Sequence, residues 1–317
     1  MAYQALKGIV AAPMLPFKPD FSVDWTSLRS YIDWIAGQNP TAIAMNMDAS
    51  EGPALTHDEQ IEVVVACREV IAERCPLFSG LIVGSTAEGV SWGNELKAAG
   101  AQGLAAFPPL PTFLGNPVPT EMIYNYHRAL ADGIGLPLVA FQFPKAFGID
   151  YRPDALHRLA EIEEIVGLKE ASFDTPKTVE TIETAAQLPR KIGIMTGSDT
   201  FIFEAMVMGC DGALIGFAGT ATAELIQMHE AVESEDFKTA KEIWSRLGPL
   251  ARFCWSPPLR DYRPRMKEVL VMQGLIEHAT ARPPQLAVSD EERVILRELA
   301  ENAGLIEPKS ALRAAGS

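Results

Sequence analysis

Short apolar runs alternate with amphipathic stretches along the first two thirds of the chain. Eight runs rich in Val, Ile, Leu, Ala and Phe are predicted to be strands: 8–17, 42–48, 77–84, 103–107, 137–143, 166–171, 192–196 and 212–217. They are continuously apolar, which is typical of strands buried on both faces of a parallel sheet. Stretches of helical period lie between them, at 25–37, 58–73, 120–131, 153–163, 176–186 and 222–233. This alternation predicts a parallel sheet covered by helices.

Eight such units favour a closed (β/α)₈ barrel, the TIM-barrel architecture, over residues 1–233. An open doubly wound sheet is the alternative, but it usually carries a Gly-rich turn after its first strand, and AAPMLPFKPDFS has none. Residues 234–317 contain three more helical patterns, at 235–253, about 264–276 and 289–303. No Gly/Ser-rich linker separates them from the barrel. We therefore predict a three-helix C-terminal extension packed on the barrel.

Charge and cysteine usage limit the possible partners and the compartment. The chain has 27 Lys and Arg against 41 Asp and Glu, a net charge of −14. This argues against binding to nucleic acid or an anionic membrane, because both need a basic surface. No apolar run approaches the ~18 residues of a membrane span. The four cysteines form no C-x-x-C spacing and lie in apolar surroundings, which indicates a reducing, cytoplasmic location.

Lys169 is the most unusual residue at the predicted strand ends, where barrels place their reactive groups. It lies within an apolar strand, where burial lowers the pKa of an amine. A neutral amine can attack a ketone and form a Schiff base. Lys169 could instead pair with Glu170 or extend to the barrel rim. Neighbouring strand residues point to opposite sides, however, so a Lys169 that points into the barrel would not easily reach Glu170.

The remaining strand ends offer fewer candidates. The second strand ends in DASEG and includes Asp48, the fifth ends in FQFPK, and the seventh ends in GSD. The five histidines fall in predicted helices or at their starts, so no His-carboxylate cluster suggests a divalent metal. Neither a G-x-S-x-G elbow nor a Walker-type loop is present. We expect no metal and no cofactor.

The order of motifs resembles the dihydrodipicolinate synthase/N-acetylneuraminate lyase family. GIVAAPMLPF, DASEGPALT, GSTAEG, FQFP, GLKEAS and TGSD follow one another as in that family, and the resemblance covers nearly the whole chain. It implies a (β/α)₈ barrel with a helical extension, assembled as a homodimer or homotetramer. It also implies that Lys169 forms a Schiff base with a 2-oxo acid.

Several positions depart from the family pattern. The family's second-strand loop normally reads GTTGE, with two threonines that help to hold the substrate carboxylate, whereas residues 47–51 read MDASE. Phe141 stands where the family usually has a proton-shuttling tyrosine. Ala146 matches the arginine that the synthases place after the following proline, with Lys145 beside it. The tyrosine after the fourth strand is missing from FPPLPTFLG. A phenylalanine cannot exchange protons, so a function other than dihydrodipicolinate synthase is expected.

Our leading hypothesis is a Schiff-base aldolase or dehydratase that acts on pyruvate or a related 2-oxo acid. Lys169 would be the nucleophile, and Asp48, desolvated at the barrel mouth, would be the acid/base. Backbone N–H groups of loop 48–51 would bind the carboxylate; alternatively, Asp48 repels a carboxylate and the substrate presents another group. Phe107 would add to an apolar pocket for an aromatic or bulky substrate. The predicted substrate-binding residues are Ala49, Ser50, Phe141, Phe143, Lys145, Ser198 and Leu214.

The alternative hypothesis is a non-catalytic relative that binds a metabolite and retains Lys169 as an anion-binding group or as a member of an ion pair. The missing tyrosine and threonines favour this alternative, whereas the intact GLKEAS motif opposes it.

Overall fold

A computed structural model describes residues 3–115, 117–144 and 149–308. Its eight parallel strands form a closed barrel in chain order, which confirms the predicted fold. The strands are β1 (Gly8–Ala11), β2 (Ala42–Met45), β3 (Leu77–Leu81), β4 (Gly103–Ala106), β5 (Leu138–Gln142), β6 (Ile165–Glu170), β7 (Gly193–Thr196) and β8 (Gly212–Ile215).

Within the described ranges, eight α-helices alternate with these strands, and three more follow them. The barrel helices are α1 (Trp25–Ala36), α2 (His57–Ile71), α3 (Thr86–Ala99), α4 (Thr120–Ile134), α5 (Pro153–Leu159), α6 (Thr175–Ala185), α7 (Ile202–Met208) and α8 (Thr222–Glu233). The extension consists of α9 (Phe237–Cys254), α10 (Tyr262–Met272) and α11 (Asp290–Ala303). Helix α9 packs on α8, and α10 and α11 pack on α9. The predicted helical extension is therefore confirmed, while the division into units at residue 233 stays a prediction.

Most strands are shorter than their apolar runs. The first run extends to residue 17, but β1 ends at Ala11, two residues before Pro13, which lacks the N–H that a central strand needs. The second run extends to Asp48, but β2 ends at Met45 because Asn46 adopts a left-handed φ of 54°. These strands therefore end before their apolar runs do, and the remaining residues of the runs form loops that face the barrel mouth.

The barrel closes through the pairing of β1 with β8, where Gly8 lies opposite Gly212. A Cβ atom on Gly212 would come within 1.9 Å of the backbone oxygen of Gly8. No side chain fits at this distance, so glycine at 212 is a requirement of barrel closure.

A buried ion pair connects the β2 loop to the extension. Glu51 has a left-handed φ of 55°, and its carboxylate pairs with the ammonium of Lys267 on α10; both side chains are almost completely buried. Lys267 also donates to the carbonyl of Thr280 at 2.7 Å, and the backbone N–H of Arg282 donates to Glu51 at 3.1 Å. These contacts hold α10 against the barrel mouth.

The described cysteines Cys67, Cys75, Cys210 and Cys254 are buried and unbridged. Within the described residues, no helix is both long and apolar enough to cross a membrane.

We predict that Lys267→Met lowers the free energy of unfolding by ~3–5 kcal/mol, because it leaves the carboxylate of Glu51 buried without its cation. Urea unfolding followed by circular dichroism measures the change. Arg128→Met is the matched control: it breaks the exposed Arg128–Asp132 pair, at 2.7 Å, and should cost less than ~1 kcal/mol. Equal, small losses in both variants would contradict a structural role for the buried pair.

Candidate active site

A cavity of about 350 Å³ opens at the carboxyl ends of the strands. This size is at the lower end of the ~300–1,000 Å³ range of small-molecule sites. The barrel contributes one part of its lining: Asp48, Ala49, Phe141, Phe143, Pro144, Lys169, Ala171, Phe173, Gly197, Asp199 and Gly216. The extension contributes the rest: Trp255, Leu259, Arg260, Tyr262 and Arg263. The cavity is therefore built by both parts of the chain.

Lys169 points into this cavity from β6. It lies opposite Phe141 of β5, and its Nζ is 4.3 Å from the centroid of the Phe141 ring. Among the described residues, the amine has no hydrogen-bond acceptor and no ion-pair partner within 4.0 Å. Burial lowers the pKa of Lys169 to about 8, although the charges of Asp199 and Asp48 act in the opposite direction. The amine is thus both accessible to a ligand and easily deprotonated.

Glu170, the next residue of β6, points to the helix layer. Its carboxylate accepts hydrogen bonds from Gln142 Nε2 at 3.1 Å, from the backbone N–H of Ser172 at 3.0 Å and from the Thr178 hydroxyl at 2.6 Å. This arrangement follows from the alternation of side chains along a strand. It rules out Glu170 as the ion-pair partner of Lys169.

Asp199 is a buried carboxylate that lines the cavity after β7. The backbone N–H of Phe217 donates to its Oδ1 at 2.8 Å. Burial raises the pKa of Asp199 to about 7, and the positive charge of Lys169 opposes this rise. Ser198 and Asp199 precede the apolar stretch TFIFEAM, a pattern that predicts a helix cap. This prediction is wrong, because α7 begins only at Ile202, after Phe201, and the Asp199 side chain faces the site instead.

Asp48 lies on the β2 loop and is already paired. Its Oδ1 is 2.5 Å from Arg263 Nη2, and its Oδ2 accepts a hydrogen bond from the Tyr262 hydroxyl at 2.8 Å. The Asp48 side chain is 46% exposed, so the expectation that Asp48 is desolvated is wrong. The reason is the position of the loop at the rim, where one side of the carboxylate meets solvent. Its catalytic role stays a prediction.

The loop after β2 carries two backbone N–H groups that have no acceptor among the described residues, beside the cavity. Ala49 lines the cavity, and neither its N–H nor that of Ser50 has an acceptor among the described residues. The Ser50 hydroxyl faces back into the loop, where it accepts from the backbone N–H of Met47 at 2.8 Å. Free N–H groups of this kind can bind a carboxylate without any side-chain hydroxyl.

Two of the predicted phenylalanines line the cavity. Phe141 and Phe143 form one wall, with their ring centroids 4.4 Å apart. Phe107 packs edge-on against Phe141, at 4.4 Å and 83°, and supports this wall from behind. The apolar wall expected from the sequence is therefore present, although Phe107 contributes to it indirectly.

Three other predicted binding residues are placed differently. Ser198 and Leu214 are buried, and neither belongs to the described lining of the cavity. Lys145 lies outside the described residues. We therefore give none of the three a role in the proposed function.

Sequence reasoning missed the residues that the extension contributes. Tyr262 and Arg263 reach the cavity because the Glu51–Lys267 pair holds α10 at the barrel mouth, and Trp255 directly follows α9. The segment PPLRDYRPRMKE carries basic and aromatic residues at the start of a helix, which was the available signal. Within the described residues, no group of three or more His, Cys, Asp and Glu side chains could hold a metal ion.

Comparison with known proteins identifies the class to which this fold and site belong. Residues 5–303 match the model of the Dihydrodipicolinate synthetase family. The chain is a member of this family.

Similar proteins share nearly the full length of the chain. The 4-hydroxy-tetrahydrodipicolinate synthase of Chlorobium phaeobacteroides strain BS1 is 28% identical over 309 residues, which span 96% of this chain and 100% of that protein. The synthase of Archaeoglobus fulgidus is 28% identical over 95% of this chain and 99% of its own length. A solved structure of dihydrodipicolinate synthase from Acinetobacter baumannii, complexed with pyruvate, is 27% identical and has a TM-score of 0.84, covering 95% of this chain and 100% of that one.

We predict that Asp199→Asn lowers the pKa of Lys169 below its wild-type value of about 8, because it removes a negative charge that favours the ammonium form. Competitive acetylation over a pH series, read by mass spectrometry of the Lys169 peptide, gives the midpoint of amine reactivity. Asp132→Asn, at an exposed pair, is the control and should leave the midpoint unchanged. A pH midpoint of wild-type Lys169 reactivity near ~10.4, the ordinary pKa of lysine, would contradict the claim that burial lowers the pKa of this amine.

Proposed function

We propose that the protein is a Schiff-base lyase, an aldolase or dehydratase, that acts on pyruvate or a related 2-oxo acid. The observation that carries this proposal is the amine of Lys169, which faces the cavity without an ion-pair partner among the described residues. Membership of the family supports a lyase of the aldolase type. Pyruvate bound in the related Acinetobacter baumannii structure supports the substrate class.

The lowered pKa makes nucleophilic attack possible at neutral pH. With a pKa of about 8, about a tenth of the Lys169 amines are neutral at pH 7, against fewer than ~1 in 10³ for an ordinary lysine. The neutral amine attacks C2 of the 2-oxo acid, and loss of water then gives the protonated Schiff base. Asp199, with a pKa of about 7, would accept and return the amine proton because it is poised between its two forms at neutral pH.

In this proposal the loop after β2 receives the substrate carboxylate. The N–H groups of Ala49 and Ser50 are the donors, so the two threonine hydroxyls of the family pattern are not needed. The negative charge of Asp48 is offset by Arg263 at 2.5 Å, which weakens the alternative in which Asp48 repels a carboxylate.

We infer that the second substrate differs from that of the synthases. Phe141 and Phe143 form one wall of the cavity, and Trp255, Leu259 and Phe173 add further apolar surface. Such walls favour an aromatic or otherwise bulky partner for the 2-oxo acid. We also propose that the protein is cytoplasmic, in line with the unbridged cysteines. A homodimer or homotetramer is proposed from the family resemblance alone.

The first prediction for this function is that borohydride with a 2-oxo acid adds the reduced adduct mass to Lys169. We expect full labelling of the wild type with pyruvate or a larger 2-oxo acid and none of Lys169→Ala, since the nucleophile is gone. Peptide mass spectrometry locates the adduct. Lys191→Ala, which removes an exposed lysine paired with Asp211 at 2.6 Å, is the control and should label normally.

Absence of labelling across a panel of 2-oxo acids would contradict the proposed lyase. In that case, if the Lys169→Ala variant still binds a ligand but more weakly than the wild type, the result would favour a non-catalytic metabolite-binding protein instead.

The second prediction concerns the aromatic wall. With pyruvate as the donor, we expect aromatic aldehydes to be consumed, and no 4-hydroxy-tetrahydrodipicolinate synthase activity. Phe143→Ala should raise KM for the aromatic aldehyde roughly 2- to 13-fold, since one aromatic contact is worth ~0.5–1.5 kcal/mol. Phe237→Ala, at a residue that is 47% exposed at the start of α9, is the control. Synthase activity at a rate typical of an enzyme, ~1–10³ s⁻¹, would overturn the proposed specificity.

A further inference from the structure

Tyr262 places a phenol at the cavity that contains the Lys169 amine. It is the first residue of α10, and its ring stacks on Trp255 with the centroids 5.0 Å apart at an angle of 19°. Both rings line the cavity. The hydroxyl donates to Asp48 Oδ2 at 2.8 Å. The ring is therefore held by packing, and the hydroxyl is oriented by a single carboxylate.

Asp48 connects this phenol to solvent. Its side chain is 46% exposed, whereas the Tyr262 residue is only 7% exposed. Arg263 fixes the carboxylate from the other side: its Nη2 is 2.5 Å from Asp48 Oδ1, and its Nε donates to the Asp48 carbonyl at 2.8 Å. The hydroxyl of Tyr262 therefore lies between the cavity and the Asp48 carboxylate, and the carboxylate lies between the hydroxyl and solvent.

We propose that Tyr262 and Asp48 form a proton relay that removes a proton from C3 of the Schiff base on Lys169 and passes it to solvent. This inference rests on the proposed function, because it needs the covalent adduct. It assigns the catalytic contact to Tyr262, while Asp48 acts through the phenol.

The relay balances as one concerted step. The C3–H bond breaks and its electron pair forms the C2=C3 bond, while the C=N π pair returns to the nitrogen and gives a neutral enamine. The C3 proton moves to the phenol oxygen as the phenol proton moves to Asp48 Oδ2. The positive charge of the Schiff base and the negative charge of the carboxylate disappear together. Asp48 then releases its proton to water.

For this phenol, proton transfer through a relay is more favourable than proton abstraction by a free phenolate. Burial and the neighbouring carboxylates raise the pKa of Tyr262 well above its ordinary value, although Arg263 opposes the rise. A phenolate is therefore disfavoured at neutral pH, whereas a relay leaves the phenol neutral before and after the step. Asp199 is the other carboxylate that lines the cavity, but it is only 4% exposed and so lacks the direct route to solvent that Asp48 has.

The test separates the C3 proton step from Schiff-base formation. Exchange of the pyruvate methyl protons in D₂O, followed by proton NMR, reports enamine formation, and borohydride trapping at Lys169 reports the Schiff base. Tyr262→Phe keeps the ring that stacks on Trp255 but removes the hydroxyl. We expect its trapping to equal that of the wild type and its exchange rate to fall about 10²-fold or more, the usual contribution of general acid–base catalysis. Asp48→Asn should lose exchange in the same way.

Tyr31→Phe is the matched control, because Tyr31 is also buried and its hydroxyl donates to a backbone carbonyl, that of Gly219, at 2.9 Å. It should retain both trapping and exchange. Exchange in Tyr262→Phe within twofold of the wild type, or a parallel loss of trapping and exchange, would overturn the relay. Failure of the wild type to trap any 2-oxo acid would instead refute the proposed function, and the relay with it.

Discussion

A lysine amine that is enclosed in a barrel and has no counter-ion among the described residues is the feature on which the site depends. Transfer of an ammonium group out of water is costly, and Lys169 recovers little of that cost, since its Nζ faces the Phe141 ring, 4.3 Å from the centroid, and forms no ion pair with a described residue. The amine therefore gives up its proton more easily than an ordinary lysine. The same environment that destabilises the charge leaves a neutral nucleophile beside an open cavity.

The extension completes this environment. The loop after β2 carries Glu51, and the buried pair of Glu51 with Lys267 fixes α10 over the barrel mouth. Tyr262 and Arg263 thereby reach Asp48. A barrel alone would leave Asp48 without these two partners and the cavity without the aromatic wall of Trp255. The loop after β2 therefore carries both Glu51, which stabilises the packing of α10, and Asp48, which belongs to the candidate active site.

The fold could be predicted from sequence because it depends on local patterns. Eight continuous apolar runs alternate with stretches of helical period, and parallel pairing in chain order leaves few alternatives. Lys169 could also be found, because a cation in an apolar strand is unusual in any context. Tyr262 could not, since it comes 93 residues after Lys169 in the chain and only tertiary packing brings it to the cavity. Asp199 was harder to identify, because an Asp two residues before an apolar helical stretch also fits a helix cap.

The most direct test of this account is a crystal structure of the protein after borohydride reduction with a 2-oxo acid. We predict continuous density from Lys169 Nζ to C2 of the ligand, with the carboxylate against the N–H groups of Ala49 and Ser50 and C3 facing the Tyr262 hydroxyl. An unmodified Lys169, or a ligand bound elsewhere while this amine makes an ion pair with Asp199, would contradict the central claim.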